Sequence, residues 1–245
     1  MGVASSRVFA NAPVGEPRAG LDPAAATSGA PAPASEADTA EPRRAPGIVL
    51  PAALVMALVL GTAVGVLTSD LQAHLNGSWG SLANAISPWL APAFAVGAMT
   101  RRPTQAAIVG VVVCLSEVGG YYATAAEHGH PTSLAPVLFW ACGALVGGQL
   151  FGMAGWMWRS AAGWYQGLGI ALLSAAFFAE AANYVRALDQ DGSALLFTAI
   201  GVALIAVLGF HKHQHARTFL WLVAALPCGA LGELIVALAL NRVLL

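Results

Sequence analysis

From Gly47 onward the chain is a succession of long apolar runs parted by short polar connections. A helix needs roughly 20 apolar residues to cross the hydrocarbon of a bilayer. Inside lipid every backbone N–H and C=O must be satisfied within the fold, so single runs of this kind form helices. Composition agrees. The chain is 58% hydrophobic and 9% charged, where a soluble domain carries roughly 25% charged residues. The expected fold is all-α, a polytopic membrane helix bundle. Seven spans are expected near 48–69, 81–99, 104–125, 133–155, 163–185, 193–210 and 218–240, the second interrupted by Ser87-Pro88.

Loop charges give this count a direction. Arg43 and Arg44 precede the first span. Arg101 and Arg102 occupy the second connection, Arg159 the fourth, and Lys212 with Arg217 the sixth. The first and third connections hold no Lys or Arg, and the fifth holds Arg186 beside Asp189 and Asp191. Positive charge stays on the cytoplasmic side, so the N-terminus is expected inside and the C-terminus outside. Arg242 fits that pattern poorly. Trp156, Trp158 and Trp164 flank Arg159 as an inner-interface belt.

Residues 1–46 differ in kind, being rich in Ala, Pro, Gly and Ser. They hold no apolar stretch long enough for a signal-peptide core. Such a segment buries too little surface to fold, so a disordered tail is expected ahead of a membrane domain over 47–245. Met1-Gly2 with Ser6 formally fits a myristoylation pattern, but the Ala/Gly/Arg-rich style is bacterial. The expected location is the cell membrane, multi-pass.

Glu117, Glu180 and Glu233 each sit inside an apolar run. A carboxylate at bilayer depth costs at least ~2.5 kcal/mol, so these three carry most of the functional information. Spans three, five and seven all run outward, which places the acids at ~20, ~26 and ~22 Å from the inner face at 1.5 Å per residue. They thus share one height in the outer half. Asp70 ends span one on the same side. Tyr121 follows Glu117 at i+4 and Tyr184 follows Glu180 at i+4, each on its acid's helix face. Spans 2–3, 4–5 and 6–7 can be aligned as three diverged hairpins on that basis. Phe177 shares the Glu180 face, Tyr122 adjoins Tyr121, Trp79 precedes span two on the outer side, and Trp89 lies within it. Rings beside carboxylates favour a cation, either a bound ammonium or a transient carbocation. Pro227 precedes Glu233 by six residues and can kink span seven.

The bland alternative is that each glutamate is packing glue bonded to a neighbouring helix, and each ring an anchor or core residue. The spans hold no Lys, Arg or His away from their ends, so nothing basic awaits a pyrophosphate. Metal-binding, nucleophile-elbow and P-loop motifs are absent, and neither a cofactor nor a metal is expected. His211, His213 and His215 around Lys212 read first as a positive-inside loop, and His128 with His130 as an outer loop; metal binding is the lesser reading of both. Cys114, Cys142 and Cys228 lack metal or disulfide spacing and read as small core residues. The net charge of -1 gives nothing for nucleic acid to bind. Ala53, Ala57, Gly61 and Gly65 form a small-residue stripe suited to close helix contact, within the chain or with a partner helix.

Seven spans with buried carboxylates and aromatics over residues 48–245 resemble the small integral-membrane terpene cyclases of bacterial indolosesquiterpenoid and fungal meroterpenoid pathways. The resemblance is one of architecture and residue type. It implies an acid that protonates an alkene or epoxide of an apolar prenylated substrate, followed by cyclisation through carbocations. Glu117 and Glu233 would then be the acid pair, with Glu180 assisting. Tyr121, Phe177 and Tyr184 would stabilise the cations. Gly77-Ser78-Trp79-Gly80, with Asn84 and Ser87-Pro88-Trp89, also looks like actinobacterial multi-pass proteins. Ala91 to Glu117, with Arg101-Arg102-Pro103, faintly resembles the substrate-binding subunits of vitamin importers. That leaves transport of a small cationic or proton-coupled solute open, and beside it a structural role without ligand.

Overall fold

The computed structural model describes residues 47–130 and 133–244. The expected tail over 1–46 lies outside the described residues. The described chain is helical: α1 Leu50–His74, α2 Gly77–Asn84, α3 Ser87–Ala98, α4 Pro103–Glu127, α5 Leu134–Ser160, α6 Leu168–Leu188, α7 Asp191–Gly209 and α8 His215–Leu244. Six segments are long and apolar enough to cross a membrane: α1, α4, α5, α7, α8 and the stretch Gly163–Leu188 that contains α6. This is the composition of a multi-pass membrane protein.

The second expected span, 81–99, is not one helix. The segment starts earlier, at Gly77, and divides into α2 and α3 at Ala85–Ile86. Ala85 is extended, with φ −95° and ψ 155°. Pro88 lies in the first turn of α3, where its missing N–H would have had no intrahelical partner anyway. A proline therefore starts the second half-helix rather than bending a continuous one.

Contacts between chain ends fix the path. Ile48 N–H donates to the Met99 carbonyl at 2.9 Å, and Arg101 Nε donates to the Gly47 carbonyl at 2.6 Å. At the opposite end Asp70 faces His128 at 3.6 Å. Hence α1 and α4 run parallel, and α2 with α3 carries the chain back over the height of the bundle. Gly167 lies against Thr218, and Gly229 against Ala175 and Ala179, so α8 runs parallel to α6.

Small residues let these backbones meet. Ala53, Ala57, Gly61 and Gly65 are all buried on α1. A Cβ added at Gly61 would strike the Val113 carbonyl, and one at Gly65 the Glu117 carbonyl, both on α4. The stripe is therefore filled by packing within the chain. Gly110 on α4 meets Gly148 on α5 in the same way, and Gly152 on α5 meets Gly97 on α3. Without a hydrophobic drive between helices in lipid, such close approach and its dispersion contacts supply much of the association.

The polar connections segregate. Lys212 Nζ donates to the Arg159 carbonyl, Arg217 donates to the Gly163 carbonyl, and Gln214 ties the Gly167 N–H to the Trp158 carbonyl. Phe94 of α3 contacts Trp158 of α5 at 5.8 Å. The connections bearing Arg101, Arg102, Arg159, Lys212 and Arg217 thus share one end. Tyr184, Ser81 and Ser193 are bonded together at the other.

Candidate functional site: an acid-lined cavity beside a broken helix

Glu117 sits mid-way along α4 with 0% of its surface exposed. Neither carboxyl oxygen has a hydrogen-bond partner among the described residues. The Cys114 thiol lies beside it one turn earlier, and a thiol is a weak donor. Buried polar atoms are almost always paired, so a carboxyl group left open calls for an explanation.

Its surroundings provide one. Glu117 lines a cavity of about 740 Å³ walled by α3, α4, α5, α6 and α8, with Gln72 of α1 and Ala83 and Asn84 of α2. The rings of Trp89, Tyr121, Tyr122, Phe139 and Trp140 face it, with aliphatic side chains between them. Trp89 and Tyr121 are 5.7 Å apart, and Tyr121 and Tyr122 meet edge to face at 5.1 Å. Tyr121 donates to Gln72 Oε1 at 2.7 Å, and Gln72 donates to the Ala83 carbonyl at 2.8 Å. That chain fastens the end of α2 to α1 and α4 and fixes the Tyr121 ring. Among the described residues the lining has no Lys, Arg or His.

One wall is incomplete. Gly143 and Val146 of α5 and Gly232 and Ile235 of α8 line the cavity and are exposed. The cavity is therefore not sealed where α5 and α8 line it.

Glu233 lines the same cavity from α8 and is half-buried. It lies close enough to Glu180 for the two carboxyl groups to interact electrostatically. Glu180 itself does not line the cavity. Its Oε1 accepts the Ile86 N–H at 3.0 Å and its Oε2 accepts the Ser87 N–H at 2.8 Å. The acid thus caps α3 at the break, where first-turn N–H groups have no intrahelical partner and the helix dipole favours a negative group. Glu180 holds the half-helix in place, and through it Ala85, Ile86 and Trp89 of the cavity wall.

The other expected site residues divide. Trp89, Tyr121 and Tyr122 reach the cavity. Phe177 and Tyr184 turn to α7, where Tyr184 stacks on the fully buried Phe197 at 5.2 Å and Phe177 lies 6.1 Å from it. Neither lines the Glu117 cavity, because Glu180 is drawn to the start of α3 and Tyr184 to Ser81 and Phe197, whereas Glu117 and Tyr121 both line it. Trp79 is exposed on α2, and Asp70 pairs with His128 at the bundle end. The histidines by Lys212 go to separate partners: His211 lies on Trp158, and His215 on Phe210.

Several cavity residues were not singled out from the sequence. Trp140, Phe139 and Gln72 carry no local signal, since each reaches the site only through packing. All three cysteines line the cavity; Cys114 is a buried core residue as expected, whereas Cys142 and Cys228 are exposed. For Cys114 the i−3 spacing from Glu117 places both on one helix face, and that relation was readable.

Neither the curated proteins nor the solved structures compared with the chain give a match. A family model does match residues 45–242, from just ahead of α1 into the last turn of α8. On that match the chain belongs to the DUF6518 family, a family of unknown function.

Proposed function

We propose that the protein is a membrane-embedded cyclase in which Glu117 protonates a prenylated substrate held in the cavity between α5 and α8. The observation that carries this reading is the Glu117 carboxyl group: fully buried, without a hydrogen-bond partner among the described residues, and on the wall of an aromatic cavity. A carboxylic acid kept neutral in an apolar site is a proton donor. The exposed residues of α5 and α8 on its wall suit a ligand that arrives through lipid. The rings of Trp89, Tyr121 and Tyr122 suit a carbocation, since their faces attract positive charge.

In the step proposed, the Glu117 proton adds to one alkene carbon. The electron pair of a second alkene then closes a carbon–carbon bond onto the cationic carbon. The final cation loses a proton to Glu233, which gives an isomer, or takes up water, whose extra proton passes to Glu233, which gives a hydrated product. With an epoxide the proton goes to oxygen and the C–O bond breaks. Glu180 is a positioning residue here. We further read α2 with α3 as the seventh crossing, a discontinuous one, and the Arg- and Lys-bearing end as cytoplasmic by the positive-inside rule. The membrane is then the cell membrane.

The test is conversion. Membranes containing the protein should turn a prenylated aromatic, or its epoxide, into a cyclic product of equal or hydrated mass. If Glu117→Gln and Glu233→Gln both leave that conversion intact, the acid assignment fails. The second reading, carriage of a small cation, draws on the same open acid beside aromatic rings. It requires gradient-dependent uptake that disappears in Glu117→Gln, and no uptake across a panel of ammonium solutes would remove it.

A further inference from the structure

A second cavity of about 630 Å³ lies at the end of the bundle away from the basic connections. The α1–α2 connection, α2 and the α6–α7 connection form its walls. Its polar lining is made of Asn76, Ser78, Ser81, Asn84, Gln190 and Ser193, with the Tyr184 phenol at its side. Asp189 and Asp191 flank Gln190 in the chain, yet neither lines this cleft, and among the described residues no other Asp, Glu, Lys, Arg or His does. Hydrogen bonds give it a fixed shape. Ser81 Oγ and Ser193 Oγ are 2.7 Å apart, Ser193 donates to Gln190 Oε1 at 3.1 Å, and Tyr184 donates to the Ser81 carbonyl at 3.3 Å.

Asn84 lines both this cleft and the Glu117 cavity. Its amide nitrogen donates to the Gly80 carbonyl at 2.9 Å, which sets the side chain at the end of α2. An uncharged polar cleft at the helix ends and an apolar, acid-bearing cavity at depth therefore adjoin at one residue. That order of polarity is the order a bilayer imposes on an amphiphile, head at the surface and tail in the hydrocarbon.

We infer that the two cavities form one bipartite site for an amphiphile whose head group is uncharged and rich in hydroxyl or amide groups, and whose prenyl body occupies the Glu117 cavity. This rests on the reading of the deeper cavity as a prenyl site. The cleft supplies neutral donors and acceptors to the head. Among the described residues it has no cation for a phosphate and no carboxylate for an ammonium. The head anchors the ligand at the surface while the tail's double bond stands beside Glu117.

Binding rather than turnover tests this. The protein is placed in nanodiscs, and its tryptophan fluorescence is followed as a geranylgeranyl glycerol ether, a geranylgeranyl methyl ether or geranylgeranyl phosphate is added at matched mole fraction. The glycerol ether should bind about tenfold more tightly than the methyl ether, the scale of one or two extra hydrogen bonds. Asn76→Leu and Gln190→Leu should each shrink that advantage and leave the methyl ether unchanged. Equal binding of the two ethers, tightest binding of the phosphate, or an advantage untouched by both variants would overturn the inference while leaving the prenyl cavity standing. Failure of all three to bind would instead remove the prenyl reading and this inference with it.

Discussion

The Glu180 carboxylate accepts the backbone N–H of Ser87 at 2.8 Å across a sequence separation of 93 residues. With the Ile86 N–H on its other oxygen, this one side chain completes the start of a helix that its own segment leaves open. The acid is thus already occupied, whereas Glu117 on α4 is not.

Removal of the Glu180 carboxylate strands two N–H groups. Glu180→Ala should cost about 2–6 kcal/mol, because each of the two orphaned donors carries roughly 1–3 kcal/mol. Glu180→Gln keeps one acceptor oxygen and should fall between the variant and the parent protein. Thermal unfolding in detergent reads both. A melting temperature unchanged in Glu180→Ala would show that the cap contributes nothing.

The α1–α4 contact is tight enough to be tested at one atom. Gly65 touches the backbone of Glu117 and Tyr121. Gly65→Val has no flexible neighbour to push aside, so α1 must move away, at a cost of about 1–3 kcal/mol for overpacking. Because α1 covers the backbone of Glu117, the same change should also weaken ligand binding. Stability equal to the parent protein would show that α1 yields without cost.

Phe197 is fully buried between Tyr184 and Phe177. Phe197→Ala should lower stability by about 3–5 kcal/mol, the range for an aromatic deleted from a core. It touches neither cavity acid, so conversion per folded molecule should remain near the parent value. Denaturation and activity on the same preparation separate the two effects.

The sequence made much of this legible. Apolar runs announced the long helices, and loop charges announced which connections share an end, as the Lys212 contact with Arg159 and the Phe94 contact with Trp158 display. Burial of Glu117 and Glu180 was implied by their place in apolar runs. Rotation was not. Helical spacing puts Tyr184 on the Glu180 face but cannot say that Ser81 and Phe197 wait on one side and Ile86 on the other. Nor does periodicity reveal a break held by a residue 93 positions away. That α5 and α8 line one cavity was equally hidden, because it depends on where α8 lies relative to α5, which no local pattern encodes.

The account turns on Glu117 as the proton donor. The most direct measurement is cyclisation of a prenylated alkene by protein-containing membranes in D₂O, with Glu117→Gln beside the parent protein. The product should gain one deuterium at the protonated carbon, and the rate in Glu117→Gln should fall by about 10²-fold or more, the scale of a lost general acid. Deuterated product formed at the parent rate by Glu117→Gln would contradict the account.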